Sequence, residues 1–335
     1  MNLALNSFAE LRWLTESHLL RSHRFSKLPA HMESRATVQH VNQFWNTEAC
    51  GTHFVRSFSD ERDFYEKFRD YRYRTEWHIP LLVPFAEAKD KTVLEIGTGN
   101  GADGAMFALN GGIYTGVDLT DAALAATEKH FNVLNLKGTF LRQNAEELTL
   151  PDSTFDFVYS HGVLHHTPHP ARAIDEVWRV LKPGGRAIIM LYHKRSFNYV
   201  VRIMLYMRAR LLLKILSRAG RWQKDRERLR NEEITGVRGN QDRRIWEIHY
   251  QNFLREGWSY LSAGRFVHHC TDGPECPVAF AYNRREARDL FAKFKGVRTE
   301  VAHFPLRRYS RWIPFAVERF LAPRLGWYLF IFATK

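Results

Sequence analysis

The chain is expected to fold as an α/β protein on a doubly wound, mostly parallel sheet of seven strands, with a helical insertion before the last two. Three observations lead there. Short apolar runs alternate with amphipathic stretches from Lys91 to Tyr192, joined by brief turns, and that rhythm suits a parallel sheet covered on both faces. The run Val93-Leu-Glu-Ile-Gly-Thr-Gly-Asn-Gly101 drives an apolar strand through an acid into three alternate glycines, which let the backbone turn sharply and approach a ligand closely. The rhythm then breaks at His193 and resumes near Arg284. The roughly ninety residues between are too many for a bare loop in a compact domain.

The elements follow in order. Residues 1 to about 40 show no clean periodicity and read as a helical or poorly ordered stretch, and 1–58 as a whole as an N-terminal extension. A helix is expected from Ser59, with Ser59 as its cap, Asp60 and Glu61 in its first turn, and Phe64, Phe68 and Tyr71 at helical spacing. It leads into the aromatic and charged cluster Tyr71–His78, which either covers the core or touches a ligand. Strands are expected at Lys91–Ile96, Ile113–Asp118, Gly138–Arg142, Thr154–Ser160 and Arg186–Tyr192. Helices are expected through Ala105–Leu109, over Thr120–Phe131 with Thr120 as cap, and over Ala171–Leu181, where Lys182-Pro-Gly-Gly185 stops the helix. A helix carrying Ala287, Leu290, Phe291 and Phe294, then strands Val297–Phe304 and Gly326–Thr334, complete the set. The domain reading is therefore a 59–192 core, a 193–296 insertion or lid, and closing strands in 297–335. Ligands of such sheets bind at the carboxyl ends of the strands, where all these loops lie.

Composition narrows the setting. The 335 residues suffice for one large domain with insertions or for two smaller ones. Three cysteines, Cys50, Cys270 and Cys276, have no metal-type spacing and fit a reducing cytoplasm. The first twenty residues, with Glu10, Arg12 and Glu16 scattered among them, lack the pattern of a signal peptide. No run approaches the ~18 to 20 apolar residues of a membrane span. Net charge is +13 and the pI about 9.7. Between Lys194 and Arg230, 12 Lys/Arg stand against Asp225 and Glu227, so this segment carries +10 of the excess.

Gly99-Asn-Gly-Ala-Asp-Gly104 also matches the dinucleotide pattern G-x-G-x-x-G, with Asp118 about twenty residues on. Two features disfavour that reading: the glycines begin earlier, at Gly97, and Glu95 offers nothing to a pyrophosphate. Together, Glu95-Ile-Gly-Thr-Gly-Asn-Gly101, Asp118, Asn144-Ala-Glu146, Phe155-Asp156 and Arg179-Val-Leu-Lys-Pro-Gly-Gly185 resemble the class I S-adenosylmethionine-dependent methyltransferases. The loop Val163-Leu-His-His-Thr167 is similar to that of the small-molecule branch. The resemblance is strong over residues 85–192, and the two last strands fit the family's closing hairpin.

This resemblance implies roles. Gly97, Thr98, Gly99 and Gly101 would hold the methionine part of S-adenosyl-L-methionine, with Glu95 near its amino group. Asp118, beside Leu119, would take both ribose hydroxyls. Asn144, Ala145 and Glu146 would lie beside the adenine, with Asn144 where many relatives carry Asp. Ser160 and His161 would line the methionine end.

Methyl transfer asks the protein mainly to position a nucleophile and exclude water. A hydroxyl nucleophile gains from a general base, and His165 or His166, after the fourth strand, is the expected one; the bland alternative is a capping or supporting role. His165, His166 and His169 match no standard metal-ligand spacing, so no metal is expected. Ser160-His-Gly-Val lacks the motif of nucleic-acid amine methyltransferases, and no Pro-Cys nucleophile stands there. Nucleic acid is accordingly disfavoured as a partner, despite the pI.

From Tyr199 to Arg221, Arg210, Lys214, Arg218 and Arg221 share one helical face, while Met204, Leu211, Leu212, Ile215 and Leu216 share the other. That pattern fits either an interfacial helix on anionic lipid or a lid helix packed on the core. The leading expectation is a cytoplasmic methyltransferase for a small or lipid-like acceptor, able to sit on the inner membrane face. The rivals are an NAD(P)-dependent oxidoreductase and a non-catalytic membrane- or RNA-associated module on the same fold.

Overall fold

The computed structural model describes residues 36–47, 57–231, 241–308 and 312–335. Most of the expected N-terminal extension, and Cys50, lie outside them. Within that extension, helix α1 spans Val38–Thr47. Helix α2 spans Glu61–Thr75, and its cap is Asp60, not Ser59: the Asp60 carboxylate accepts from the Asp63 N–H. Ser59 instead donates to Asp63, which already belongs to the first turn. A carboxylate is the better cap here because it also meets the positive end of the helix dipole.

The sheet follows as β1 (Thr92–Ile96), β2 (Ile113–Asp118), β3 (Thr139–Arg142), β4 (Phe155–His161), β5 (Leu181–His193), β6 (Ala281–Tyr282), β7 (Lys295–Ala302) and β8 (Tyr328–Thr334). The order is β3-β2-β1-β4-β5-β8-β7, with β6 beside the end of β5. The first five strands are parallel; β8 runs antiparallel between β5 and β7. Eight strands thus replace the seven expected. The extra one, β6, is two residues long and pairs with Tyr192 and His193, too short to leave a periodic signal. Lys182-Pro-Gly-Gly185 forms an irregularity, and regular pairing with β4 resumes at Arg186. Both faces are covered, so Val93, Leu94, Val158, Tyr159, Ile189, Leu191, Leu329 and Phe330 are fully buried. Each such aliphatic side chain stabilises the fold by roughly 1.5–3 kcal/mol.

Helix α3 (Ala102–Leu109) starts on the last glycine of the motif, and α4 (Asp121–Val133) is capped by Thr120 as expected. Helix α5 spans Pro170–Val180. The last two strands are neighbours in the sheet but no tight hairpin: a helix, Phe315–Leu325, lies in their connection.

The segment after β5 is helical. A wide, π-type stretch, Asn198–Met207, runs into α6 (Arg208–Ser217), followed by α7 (Trp222–Asn231) and α8 (Gln241–Glu256). The faces of α6 differ from the expected split. Tyr199, Ile203, Met207, Leu211 and Ile215 form the buried stripe. The basic edge turns onto α8: Lys214 and Arg218 pair with Glu247 at 2.9 and 3.0 Å, and Arg210 lies over the Trp246 ring. Leu216, expected inside, is exposed with Val201, Leu205 and Leu213. Leu211 and Ile215, on the apolar side expected, are the α6 residues that face inward, and the partly exposed pairs with Glu247 add little to that burial. Among the described residues, no helix is long and apolar enough to cross a membrane.

Candidate active site

The loops at the carboxyl ends of β1, β2, β3, β4 and β5 open onto one cavity of about 890 Å³. Gly97, Thr98, Gly99, Asp118, Leu119, Asn144 and Ala145 line it on the β1–β3 side. His161, His166, Tyr192, Asp272 and Trp327 line it beyond β4 and β5, with Trp45 of α1 and Phe197 and Arg202 of the following segment.

The glycines divide the work. Gly97 has φ +82°, and a Cβ there would sit 2.1 Å from Cγ2 of Val163, so the β1 turn closes directly on the loop after β4. Gly99 has φ +57° and nothing within 4 Å of its would-be Cβ; its backbone is bare toward the cavity. Gly101 packs on Thr127, and Gly104 leaves room for the Glu95 carboxyl and the Tyr114 hydroxyl. Gly104 therefore serves packing, the same job that the third glycine of a dinucleotide fingerprint does, so it does not separate the two readings.

Asp118 is held from both sides. One oxygen accepts from the Thr98 N–H at 2.9 Å, the other from the Thr120 N–H and hydroxyl at 2.9 and 2.8 Å. The Gly99 backbone also bonds this carboxylate, which is thus fixed in place at the cavity wall. Burial raises its pKa, against the lowering effect of these hydrogen bonds. The Asn144 side-chain oxygen accepts from the Glu146 N–H at 3.1 Å, which leaves its NH2 as the free donor.

Glu95 lines the cavity, deeply buried. It is 3% exposed and accepts a 2.5 Å hydrogen bond from Tyr114. Burial, reinforced by nearby Asp103, raises its pKa well above the ordinary value. A buried carboxyl so placed keeps its proton.

The charge lies elsewhere. Arg72 of α2 donates to both oxygens of Asp103, at 3.0 and 2.6 Å, and pairs with Glu76 at 2.9 Å. Tyr73 and Tyr159 also donate to Asp103. Burial alone would raise Asp103, yet Arg72 holds it below the usual range. Arg72 Nη2 is 3.5 Å from His161 Nδ1, and burial pushes the His161 imidazole down to about 4. This network was missed in the sequence, although the Tyr71–His78 cluster marked half of it.

Of the remaining expected residues, Gly101, Ser160 and Glu146 support the site from behind. The Ser160 hydroxyl donates to the Ile96 carbonyl, and Glu146 accepts from the His169 N–H. His165 is fully buried and does not line the cavity; its ring packs 3.9 Å from that of Tyr192. Burial holds its pKa well below the ordinary value. Of the two histidines, only His166 can meet a molecule in the cavity. The reason is local: the short 3-10 turn Leu164–His166 aims consecutive side chains in different directions.

Residues 94–189 match the model of a family described as a methyltransferase domain, a domain whose cofactor is S-adenosylmethionine. A ubiquinone biosynthesis O-methyltransferase of Coxiella burnetii is 30% identical over 115 residues, which is 34% of this chain and 49% of that one. A phthiotriol/phenolphthiotriol dimycocerosates methyltransferase of Mycobacterium ulcerans is 36% identical over 115 residues, 34% of this chain and 39% of that one. The chain thus spans half or less of the length of these relatives. An S-adenosylmethionine-dependent methyltransferase from Mesorhizobium loti aligns in structure with TM-score 0.44 and 18% identity, over 78% of this chain and 98% of that one.

Proposed function

We propose that the protein transfers a methyl group from S-adenosylmethionine to a small or lipid-like acceptor. The observation that carries this reading is the convergence of the bare Gly99 backbone, the Asp118 carboxylate and the Asn144 amide on one cavity. A sulfonium cofactor supplies an activated methyl group, so the protein's task is to orient and to exclude water. Gly97, Thr98 and Gly99 would form the cradle for its amino-acid part, with Gly101 setting the turn. Asp118 would take the ribose hydroxyls, and Leu119, Asn144 and Ala145 would flank the adenine. Arg72, which already faces His161 at the cavity wall, would offer positive charge to the cofactor carboxylate. Glu95, as a neutral acid, would serve as a hydrogen-bonding wall. In this reading residues 59–192 are the cofactor core, 193–296 the insertion and 297–335 the closing strands.

The other end of the cavity suits an apolar or aromatic acceptor, since Trp45, Tyr192, Phe197, Phe304 and Trp327 line it. Phe197 leads to the exposed apolar ridge of Val200, Val201, Leu205, Leu213 and Leu216. With Arg202, Arg208 and Arg221 on the same segment, that ridge fits an anionic membrane surface from which a lipid-like acceptor could enter. The antiparallel β8 between β5 and β7 departs from the all-parallel order of dinucleotide folds, which weighs against an oxidoreductase.

Titration calorimetry with S-adenosylhomocysteine and with NAD tests the main reading. Binding of the first alone is expected; binding of NAD alone would end it. Leu205→Glu with Leu213→Glu should abolish sedimentation with phosphatidylserine vesicles while sparing S-adenosylhomocysteine binding. Absence of vesicle binding by the unmodified protein at low salt would end the membrane part.

A further inference from the structure

His166 presents a polarity that the methyltransferase reading does not by itself explain. Its Nδ1 lies 2.8 Å from the Val278 carbonyl oxygen. A carbonyl only accepts, so the neutral ring carries its proton on Nδ1 and a lone pair on Nε2. That Nε2 faces the Asp272 carboxylate, with Oδ2 at 3.4 Å. No hydrogen bond joins them, and among the described residues Nε2 has no other partner although the residue is 3% exposed. Asp272 in turn accepts from the Tyr192 hydroxyl, 3.1 Å from each of its oxygens. Both His166 and Asp272 line the cavity.

Two acceptors set against each other in a buried corner call for a donor between them, because an unsatisfied buried polar atom costs about 1–3 kcal/mol. The groups packed on the pair are His165, Tyr192, Cys276 and Trp45. The Cys276 thiol is pushed up by burial and stays protonated. His166, Asp272 and Cys276 bring three ligand-type atoms within 4.8 Å of one another. Cys276 Sγ lies 3.9 Å from Nδ1, the nitrogen already committed to Val278, and its thiol also lies 3.5 Å from the Val278 carbonyl.

Resting on the methyltransferase reading, we propose that His166 and Asp272 are the proton-accepting pair for a hydroxyl-bearing acceptor, so that the reaction is O-methylation. The acceptor's O–H proton passes to Nε2 of His166. An oxygen lone pair forms the new O–CH3 bond as the S–CH3 bond breaks, and its electron pair returns to sulfur as a thioether. The Asp272 carboxylate balances the imidazolium so formed, and Tyr192 keeps Asp272 oriented. The site is thereby completed by a residue of the 193–296 insertion.

The test uses the full chain saturated with S-adenosylhomocysteine and 4-nitrophenol as probe, whose absorbance reports its ionisation, at a pH below the probe's own transition. The unmodified protein should bind the probe and shift it to the phenolate. His166→Gln should bind S-adenosylhomocysteine normally, which shows that it is folded, and lose the phenolate signal. Asp272→Asn should retain cofactor-product binding and lower the phenolate fraction on the order of tenfold, one unit of probe pKa. The proposal is overturned if the saturated wild type does not bind the probe or binds it neutral, or if both variants ionise it as wild type does. It is also overturned if purified protein carries a stoichiometric divalent ion whose removal abolishes the phenolate signal. Failure of the wild type to bind S-adenosylhomocysteine is a separate result, and it refutes the underlying methyltransferase reading.

Discussion

Gly97→Ala and Gly99→Ala should damage the protein in opposite ways, and the contrast measures what the glycine turn is for. Both positions have positive φ, so an alanine at either costs roughly 1–2 kcal/mol of backbone strain. At Gly97 the new methyl would also meet Val163 at 2.1, 2.8 and 2.9 Å, distances that real Cβ contacts do not adopt. Overpacking of that kind adds about 1–3 kcal/mol, so Gly97→Ala should lose roughly 2–5 kcal/mol of folding stability in total. At Gly99 nothing lies within 4 Å, and only the strain remains, but the methyl protrudes into the cavity. Urea unfolding followed by circular dichroism gives the stability, and calorimetry with S-adenosylhomocysteine gives the affinity. Gly99→Ala should keep most of its stability and lose at least tenfold in affinity, about 1.4 kcal/mol. Val163→Ala should recover part of the stability of Gly97→Ala, because two of the three close contacts disappear. Gly99→Ala with unchanged affinity, or Gly97→Ala as stable as wild type, would refute the assignment of the bare backbone to the cofactor.

Three further outcomes follow from the site's electrostatics. Glu95→Gln should flatten part of the dependence of stability on pH. The Glu95 pKa is raised in the fold, so the native state holds a proton that the unfolded chain releases, and stability falls as pH rises above about 4.5 toward the folded value; urea unfolding of both proteins across that range checks the difference. Arg72→Met leaves Asp103 and Glu76 without their shared cation in a buried setting and should cost roughly 3–5 kcal/mol in the same assay. Asp118→Asn should weaken S-adenosylhomocysteine by about 1–3 kcal/mol in calorimetry while the chain stays folded.

Much of the fold was legible because its signals are local. The apolar runs that mark β1, β4 and β8 lie within each strand, and Thr120 caps α4 through its immediate neighbours. Where a local competitor existed, the reading slipped by one residue, as at Ser59 and Asp60. The helix Phe315–Leu325 between β7 and β8 escaped because Pro323 inside it and its mixed pattern gave no clear face. Asn283 and Glu286 form a full capping box that the sequence spells out and that went unread.

What the sequence by itself determined is the mostly parallel sheet and the strand-end motifs that line one side of the cavity. Those residues sit in short motifs at strand ends, where a glycine's left-handed φ or a strand-terminal acid has meaning within a few residues. Tertiary structure alone decided the charge states and the acceptor side. Burial beside Asp103 raises the Glu95 pKa, against the lowering effect of the Tyr114 hydrogen bond. His166 meets Asp272, far along the chain, at the cavity wall. Lys214 and Arg218 of α6 meet Glu247 on α8. Each of these depends on burial and on partners far along the chain. Desolvation and Coulomb energy depend on the distance between atoms in space, and sequence separation does not record it.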